Sequence, residues 1–397
     1  MAKHSISTSP DTPDSDLPEM QILLDGQHHG SLGNRTDWHI RRGTWTSGAS
    51  AGVEVIELHN GELSLCVLPT RGVGVWKARL GEIPVGWNSP VSRPVHPHSV
   101  NLHSRNGLGW LDGFNELICR CGLANNGPPG QDDGNPSPIE SSLTLHGRIA
   151  NLAARDVEVF LDEELNAIGL TGVVEESTLF GPRLELRTTI TTRIGEPGFH
   201  IRDEVINRGS GPTELQLLYH CNVGEPFLGE GSALEMPHRQ VCPRDSRAAE
   251  GIATYPDCEG PTAGYAEQVY FYEPLPDQQG QSVAMLRNQA GDRGFSVAWN
   301  PSQLPSFSFW KCTQDLPAGY VAGLEPGTNY PNFKSAERQR GRVVRLDEGA
   351  TFLSELQIGI HPDRKSVQAM SQRIREIQGA SEPEVHAMPV EPFCPVG

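Results

Sequence analysis

Apolar and polar residues alternate with a period of two along several stretches of the chain. Such rows run over residues 157–162, 184–194, 199–205 and 352–360. Because successive side chains of a strand point to opposite faces of a sheet, each row predicts a strand with one buried face. Clusters of Gly, Pro, Asn and Asp separate the rows and predict turns. The pattern therefore predicts an all-β fold, a large antiparallel β-sandwich.

One late segment has the period of a helix instead. After Pro362, the residues Val367, Met370, Ile374 and Ile377 are spaced by three, four and three positions. This spacing places them on one side of a helix, which we expect to pack across the sandwich. The chain shows no βαβ alternation and no complete G-x-G-x-x-G motif, so a dinucleotide-binding fold is disfavoured.

Composition predicts a single folded domain between two weakly ordered ends. The chain of 397 residues is 37% hydrophobic, enough for a core, and its 43 Gly and 32 Pro argue against a helical bundle. Residues 1–17 are predicted to be a disordered leader, and residues 381–397 a Pro-rich tail. The remaining residues, 18–380, are predicted to form one β-sandwich domain.

Charge and cysteine usage narrow the classes of partner and compartment. The net charge of −17 disfavours nucleic acids and anionic lipid surfaces. No apolar run is long enough for a membrane helix, and the first residues lack the apolar core of a secretory signal. The eight cysteines include no C-x-x-C pair, which favours a reduced setting. We expect a cytoplasmic monomer or homodimer that acts on a small molecule.

Three residues are candidates for acid–base chemistry. His220 follows an apolar run and precedes a Gly-rich loop, and a histidine there can titrate near neutral pH. His146 is followed by Gly147, which lets a ligand or backbone approach closely. Glu325 lies between an apolar segment and a Pro-Gly turn, where burial would raise the pKa of its carboxyl group. A core histidine, a turn histidine and an exposed turn glutamate are the ordinary alternatives.

Two segments are unusually rich in Gly, Cys, Asn and aromatic residues. Residues 106–129 are interpreted as a functional loop, and residues 215–231 as a strand that runs into a second such loop. Tryptophans near Gly or polar residues could stack on sugar rings, although each could equally belong to the core. These tryptophans are Trp76, Trp87, Trp110 and Trp310.

Histidines at positions 96, 98 and 103 have a spacing that could serve a metal ion. His96 and His98 would share one face of a strand, but Pro94 and Pro97 interrupt that strand. A metal site is therefore the weaker interpretation of this cluster.

The order of these motifs resembles the aldose 1-epimerase (galactose mutarotase) superfamily. The matching parts are His146-Gly147, then Leu218-Tyr219-His220-Cys221-Asn222, then Gly323-Leu324-Glu325-Pro326, and a strand entry at 346–351. The segments LPTRGVGVWKARLG and GLGWLDGFNELICRCGLANNGPP are similar to a bacterial branch of that superfamily. The resemblance covers about residues 50–362.

This resemblance implies a large sandwich with a shallow sugar cleft across one sheet. It implies that Glu325 takes the proton from the anomeric hydroxyl, that His220 protonates the ring oxygen, and that His146 binds a hydroxyl or assists protonation. The ring opens to the aldehyde, the carbonyl end rotates, and the ring closes on the other face. The reaction implied requires no metal ion and no organic cofactor.

Departures from the family leave the substrate and the reaction open. Arg148 stands where active members often have a second glycine, and the segment 112–129 has no counterpart in ordinary galactose mutarotases. The residues assigned to substrate binding are Arg71, Asp112, Asn115, Arg148, Asn222 and Lys311. The three cations among them point to an anionic or otherwise modified sugar. Alternatives are a non-catalytic sugar-binding protein, and a lyase or metal-assisted isomerase that uses His96, His98 or His103.

Overall fold

Strands dominate the computed structural model, which describes residues 17–395. Within this range 24 strands form two large sheets and one two-stranded sheet. In chain order the strands are β1 Met20–Asp25, β2 His39–Thr44, β3 Glu54–His59, β4 Leu63–Leu68, β5 Gly74–Leu80, β6 Ile83–Val85, β7 Ile118–Leu123, β8 Gly130–Gln131, β9 Ser142–Leu143, β10 Arg155–Asp162, β11 Ala167–Ser177, β12 Arg183–Arg193, β13 Gly198–Asn207, β14 Thr213–Val223, β15 Ala233–Glu235, β16 His238–Pro243, β17 Gln268–Pro274, β18 Ser282–Arg287, β19 Gly294–Trp299, β20 Ser306–Cys312, β21 Val321–Gly327, β22 Val344–Leu346, β23 Thr351–His361 and β24 Glu384–Val385.

Helices are few and mostly a single turn long. In the described range they are α1 Gly26–His29, α2 Ser104–Gly107, α3 Ser246–Glu250, α4 Leu316–Gly319, α5 Lys334–Gln339 and α6 Arg364–Gln378. None of them is long and apolar enough to cross a membrane.

The first sheet carries the candidate residues near its centre. Its main order is β1-β2-β3-β4-β5-β7-β14-β21-β20-β17-β16-β24, with β6 beside β5 and β22 beside β14. The second sheet has the order β10-β11-β12-β13-β23-β19-β18-β15. Strand pairing is antiparallel, apart from the parallel contact of β24 with β16. The all-β antiparallel sandwich predicted from the sequence is confirmed.

A continuous apolar core fills the space between the two sheets. On β14 the side chains of Leu217, Tyr219 and Cys221 point into this core, as period-two alternation requires. A buried ion pair also crosses it, with Arg120 Nε on β7 at 2.5 Å from Asp203 Oδ2 on β13. The second sheet therefore supports β7 and β14 from behind.

The periodic segments lie where their patterns predict them. The four alternating rows fall in β10, β12, β13 and β23, all in the second sheet. The helical segment is α6, whose Val367 and Ile374 pack on apolar residues of β18 and β19. Asp363 begins this helix with a capping box to Ser366.

The segment 106–129 requires a correction, because it is not a loop throughout. Residues Ile118–Leu123 form β7, which pairs with β14 in the middle of the first sheet. Both faces of these two strands are covered, so apolar residues such as Cys119, Cys121 and Leu218 also occupy the outer face and obscure the period of two. The outer cover is the connection between β6 and β7, residues 86–117.

The ends of the domain differ in how much of them is described. Of the predicted leader, residues 1–16 lie outside the described range, and Leu17 packs beside a cluster around Trp45. The predicted Pro-rich tail is packed through residue 395: it contributes β24, and the side chains of Phe393 and Cys394 are buried. It therefore forms part of the folded unit in the described range.

Candidate functional site

Two central strands of the first sheet bring His220 and Glu325 together. The antiparallel register of β14 and β21 pairs Cys221 with Leu324, which sets His220 opposite Glu325. Since Cys221 points into the core, His220 and Glu325 lie on the outer face. His220 Nε2 is 3.1 Å from Glu325 Oε1. The residues that the resemblance assigned to acid and base are therefore in direct contact.

Asn222 fixes the protonation of the His220 ring. Its Nδ2 donates to the carbonyl oxygens of Glu116 and His220, at 2.9 and 3.1 Å. Its Oδ1 is thereby turned toward His220 Nδ1, at 2.5 Å. An amide oxygen only accepts, so Nδ1 carries a proton. Nε2 then faces Glu325, and one proton is shared between Nε2 and Oε1.

Burial decides where this proton rests. The side chains of Glu325 and His220 belong to residues only 4% and 5% exposed. Burial, with the nearby carboxylate of Glu267, raises the pKa of Glu325 to about 8. Burial, with the neighbouring His146 ring, lowers the pKa of His220 to about 3. Between these values the pair holds a single proton, with Glu325 as the donor to neutral His220.

His146 lies beside this pair. Its Nδ1 donates to the carbonyl oxygen of Asn126 at 2.8 Å, which leaves Nε2 as an acceptor. Its ring centroid is 5.6 Å from that of His220, in an edge-on arrangement. The following Gly147 serves backbone packing, because a Cβ there would lie 2.3 Å from the carbonyl oxygen of Gly122. The three residues assigned to catalysis are thus gathered in one place.

Aromatic side chains surround the pair. Phe114 and Trp310 contact the His220 ring, with centroid distances of 5.1 and 5.2 Å. Trp110 contacts the His146 ring at 4.7 Å. The indole nitrogen of Trp310 donates to Glu267 Oε2 at 2.7 Å, at the exposed rim of the site. Such rings exclude water and offer flat apolar faces of the kind on which sugars stack.

The two remaining tryptophans lie outside this immediate shell. Trp87 contacts Phe114 at 5.0 Å and also lines a cavity of about 530 Å³ over β4 and β5. Trp76 packs edge-on against Trp45 in another cluster. Of the four candidates, Trp110 and Trp310 are therefore the ones that border the paired His220 and Glu325.

Two polar atoms near the pair have no hydrogen-bond partner among residues 17–395. One is the hydroxyl of Ser308, which lies directly opposite Glu325 on β20 and so on the same face. The other is the indole nitrogen of Trp110. Buried polar atoms are nearly always paired. These two therefore mark positions where water or a ligand hydroxyl can complete the hydrogen bonding.

Arg71 belongs to the support of the site rather than to its surface. It is buried, and its Nε donates to Glu116 Oε1 at 2.7 Å. Its remaining donors reach the carbonyl oxygens of Val95 and Gly113 and the side chain of Asn151. All the contacts are internal, so Arg71 holds the 86–117 connection against the sheet.

Asp112 and Asn115 lie on the same connection. Asp112 is exposed and pairs with Arg105 at 2.6 Å. Asn115 is buried and donates from Nδ2 to the carbonyl oxygen of Val91 at 2.9 Å, while its Oδ1 has no partner in the described range. In the described range, neither makes a hydrogen bond or ring contact with His220 or Glu325.

Arg148 and Lys311, the other two cations predicted to bind substrate, are also engaged in contacts within the protein. Arg148 pairs with Glu140 at 3.0 Å and with Glu176 at 3.4 Å. Lys311 follows Trp310 on β20 and therefore points to the opposite face, where its Nζ donates to the carbonyl oxygen of Asp257. The structure does not bring Arg71, Arg148 and Lys311 together into a positive cluster.

The histidine group at 96–103 is exposed or half-buried. His96 and His98 flank a short turn with ring centroids 4.6 Å apart. In the part of the chain that the structure describes, no three His, Cys, Asp or Glu side chains are grouped as they would be to hold a metal ion. The arrangement of His96, His98 and His103 therefore lends no support to a metal-assisted reaction.

Several residues of the site were not predicted from the sequence. Ser308 alternates with Phe307 and Phe309, and that period of two was a usable signal for a strand with Ser308 on its polar face. No sequence pattern pointed to Phe114 or Glu267 as site residues. Their contacts depend on how the 86–117 connection and the start of β17 pack in the fold.

Comparison with known proteins supports this assignment of the fold. Residues 50–360 match the family described as a domain of unknown function, DUF4432. The chain belongs to this family. It is also 32% identical to a Klebsiella pneumoniae protein provisionally named an aldose 1-epimerase, covering 94% of this chain and 99% of that one with a TM-score of 0.86.

More distant structures share the fold. A galactose mutarotase-like protein from Clostridium acetobutylicum matches with 14% identity and a TM-score of 0.55, over 82% of this chain and 99% of that one. A galactose mutarotase related enzyme from Lactobacillus acidophilus matches with 11% identity and a TM-score of 0.52, over 77% and 97%. The comparison with curated proteins gives no match. The resemblance to the aldose 1-epimerase-like superfamily is confirmed.

Proposed function

We propose that this DUF4432 protein interconverts the anomers of an aldose by acid–base ring opening. The observation that carries the proposal is the buried pair of His220 and Glu325, which holds one proton across 3.1 Å. Ring opening moves one proton from the anomeric hydroxyl and one to the ring oxygen. A pair that can give a proton at one atom and take one at the other serves both directions of this reaction.

In the proposed mechanism the sugar binds between Glu325 and His220. Transfer of the shared proton from Glu325 Oε1 to His220 Nε2 creates a carboxylate and an imidazolium. The carboxylate takes the anomeric proton, and the imidazolium protonates the ring oxygen, which opens the ring to the aldehyde. Rotation about the bond next to the carbonyl carbon and the reverse transfers close the ring on the other face. Both groups recover their starting protonation in a full cycle.

The surrounding residues have binding roles in this proposal. The Nε2 of His146 accepts from a sugar hydroxyl, while the hydroxyl of Ser308 and the indole nitrogen of Trp110 meet sugar oxygens. Trp310 offers a ring face beside the pair. Asn222 instead acts through His220, so its role changes from substrate binding to positioning.

A neutral aldose fits the site better than the anionic sugar considered from the sequence. Arg71, Arg148 and Lys311 are engaged by carboxylates or carbonyl oxygens within the protein. The charged group at the rim beside Trp310 is the carboxylate of Glu267, itself paired with Arg244 at 3.0 Å. An anionic substituent placed there would meet a partly compensated negative charge.

The direct test is anomer exchange followed by NMR or polarimetry with fresh α-anomers of neutral hexoses and pentoses. We expect the wild-type protein to accelerate mutarotation, and Glu325→Gln and His220→Gln each to remove at least about 10²-fold of that acceleration. Glu273→Gln, which changes a half-buried glutamate of β17 paired with Arg239, is the control and should keep the wild-type rate. Sugar binding without any acceleration would contradict the proposal and favour a binding protein.

A pH profile checks the same pair independently. Above about pH 8 the pair loses its single proton, because the raised pKa of Glu325 is exceeded. The value of kcat/KM should therefore fall tenfold for each pH unit above that point. Activity that stayed constant up to pH 10 would be incompatible with a shared proton as the reactive one.

A further inference from the structure

The C-terminal segment 384–394 packs on the same side of the first sheet as the catalytic pair. Its strand β24 continues the sheet beside β16, and Phe393 joins a cluster with Phe271 and Tyr330. Trp310 packs against this cluster as well as against the aromatic group around His220. The segment therefore supports one wall of the site from its far side.

Polar contacts hold the last turn of this segment in place. Arg340 pairs with Glu391, and Arg342 donates to the carbonyl oxygen of Pro392 at 2.8 Å. The side chain of Asn332 donates to the carbonyl oxygen of Phe393 at 2.7 Å. These contacts fix the backbone just before Cys394, whose own carbonyl oxygen accepts from Arg340 Nη2 at 3.3 Å.

Cys394 is thereby presented to a second thiol. Its Sγ lies 3.9 Å from the Sγ of Cys242 on β16, and both sulfurs are 3.4 Å from the carbonyl oxygen of Pro243. Both residues are buried, with exposures of 1% and 0%. A disulfide needs a sulfur separation of about 2 Å, so a side-chain rotation and a small shift near the chain end would close the gap.

We propose that Cys242 and Cys394 form a dithiol that a low-molecular-weight disulfide oxidises to an intramolecular disulfide. One protein thiolate attacks the small disulfide, forms a mixed disulfide and releases one small thiolate. The second protein thiolate then attacks the protein sulfur of the mixed disulfide and releases the other. The two protein thiols lose two electrons and two protons in total, and the small disulfide is reduced to two thiols.

The resulting bond fastens the segment to the edge of the sheet. It joins positions 152 apart in the chain, and a cross-link over so long a loop restricts the unfolded chain strongly. Oxidation is therefore expected to raise the thermal stability of the folded protein. This inference concerns the thiols and the packed segment alone, so it does not depend on the proposed mutarotase activity.

The test is to equilibrate the full-length protein with oxidised or reduced glutathione and count its free thiols in denaturant. The count should fall from the eight of the reduced protein to six. Non-reducing peptide mapping should find Cys242 joined to Cys394, and the Tm should rise by several degrees. Cys394→Ser should abolish the bond and the rise, whereas Cys312→Ser, a control outside the cluster, should retain both.

Three results would overturn the proposal. They are eight free thiols after prolonged oxidation, a bond between another pair such as Cys119 and Cys121, and an equal rise in Tm for the Cys394→Ser variant. If Cys394→Ser proves too unstable to compare, Cys242→Ser removes the other sulfur and must give the same loss of the bond. Thiol counting in denaturant remains valid for either variant.

Discussion

At the scale of single residues, Asn222 shows how a neighbouring side chain can set the tautomer of a histidine. Its amide is oriented by two carbonyl oxygens, so its own oxygen must accept from His220 Nδ1. The tautomer of His220 follows from this geometry alone. The sequence motif placed an asparagine two positions after the histidine, but only the side-chain contacts distinguish positioning from substrate binding.

Asn222→Leu should therefore impair catalysis more than binding. Without the acceptor, the Nδ1 proton is no longer favoured, and we expect kcat to fall by about 10²-fold with little change in KM. Nitrogen-15 NMR of the His220 ring should show the loss of the protonated Nδ1 form. Asn222→Asp keeps an acceptor and should retain the tautomer, while its negative charge raises the pKa of His220.

A matched control separates this effect from simple destabilisation. Asn60 is also fully buried and donates to Thr192 and to two carbonyl oxygens, far from the site in sequence and on the β3–β4 turn. Asn60→Leu should lower stability and leave the His220 spectrum unchanged. A wild-type NMR signature and kcat in Asn222→Leu would refute the positioning role.

Glu325 should also impose a pH dependence on stability. Its carboxyl group has a pKa near 4.5 when unfolded and about 8 when folded. Between these values the unfolded chain releases a proton that the folded protein keeps, so stability falls as pH rises, by up to about 5 kcal/mol, and is constant below and above that window. Glu325→Gln keeps a hydrogen-bond donor to His220 without the titration.

The measurement is chemical denaturation of both proteins at several pH values. The stability of Glu325→Gln relative to the wild type should increase from pH 4.5 to pH 8 and then level off. Because other titrating groups are common to both proteins, the difference isolates Glu325. A difference independent of pH would show that the carboxyl group is already ionised in the folded protein.

The residues of β20 illustrate what the sequence did not reveal. Polarity alone favoured Lys311 for the site and left Trp310 ambiguous, yet Trp310 contacts the His220 ring and Lys311 points to the opposite face of the sheet. Lys311 is accommodated there by the carbonyl oxygen of Asp257 and by the ring of Tyr270, 5.0 Å from its Nζ. Glu325, His220 and His146 were found because their motifs lie in a recognisable order.

At the scale of elements, the connection 86–117 matters as much as the strands. It carries Trp110 and Phe114 over the pair, and the buried contact of Arg71 with Glu116 ties it to the turn between β4 and β5. The carbonyl oxygen of Glu116 also receives the amide of Asn222. Glu116 thus helps to place Trp110 and Phe114 over the pair and also helps to orient His220 through Asn222.

Arg71→Met should accordingly destabilise the protein strongly. It leaves the carboxylate of Glu116 buried without its partner, a change that typically costs about 3–5 kcal/mol. Arg71→Met combined with Glu116→Gln should recover part of this loss, as urea denaturation can measure. The control is Arg35→Met, which removes an exposed pair with Asp37 and should cost at most about 1 kcal/mol.

A loss below about 1 kcal/mol for Arg71→Met would contradict the anchoring role. So would an unchanged aromatic NMR spectrum for Trp110 and Phe114 in a variant that is otherwise folded. Recovery in the double variant is the decisive comparison, because a cavity effect alone would not be relieved by changing Glu116.

Strands with one buried face and one outward face were predictable from the sequence. In the second sheet, β12 and β13 have one face in the core and one turned outward, so they alternate. Strand β14 is buried on both faces from Leu215 onward, and β7 throughout. Coverage by the 86–117 connection removed their period-two signal, and no local pattern predicts such coverage.

At the scale of the whole molecule, the first sheet carries His220 and Glu325, and the second sheet supports the strands that hold them. The second sheet packs behind β7 and β14 and contributes Asp203, which accepts from both Arg120 and Tyr219. Tyr219 is the direct neighbour of His220 in the chain. The outer face of the first sheet therefore carries the buried pair of His220 and Glu325 on a backbone that is fixed from behind.

The charge of the whole molecule and the occupied cations of the site both favour a neutral sugar as the ligand. A net charge of −17 repels anions at a distance. The three cations predicted for the site, Arg71, Arg148 and Lys311, are engaged by carboxylates or carbonyl oxygens inside the protein. Neutral aldoses should therefore raise the Tm in a concentration-dependent manner, by mass action. Uronic acids and sugar phosphates should produce a smaller rise or none, at both low and high salt.

High salt screens long-range repulsion, so an anion that bound only at high salt would show that net charge, and not the site, excludes it. Preferential stabilisation by the anionic sugars at both salt concentrations would instead mean that one of the internal ion pairs opens to receive them.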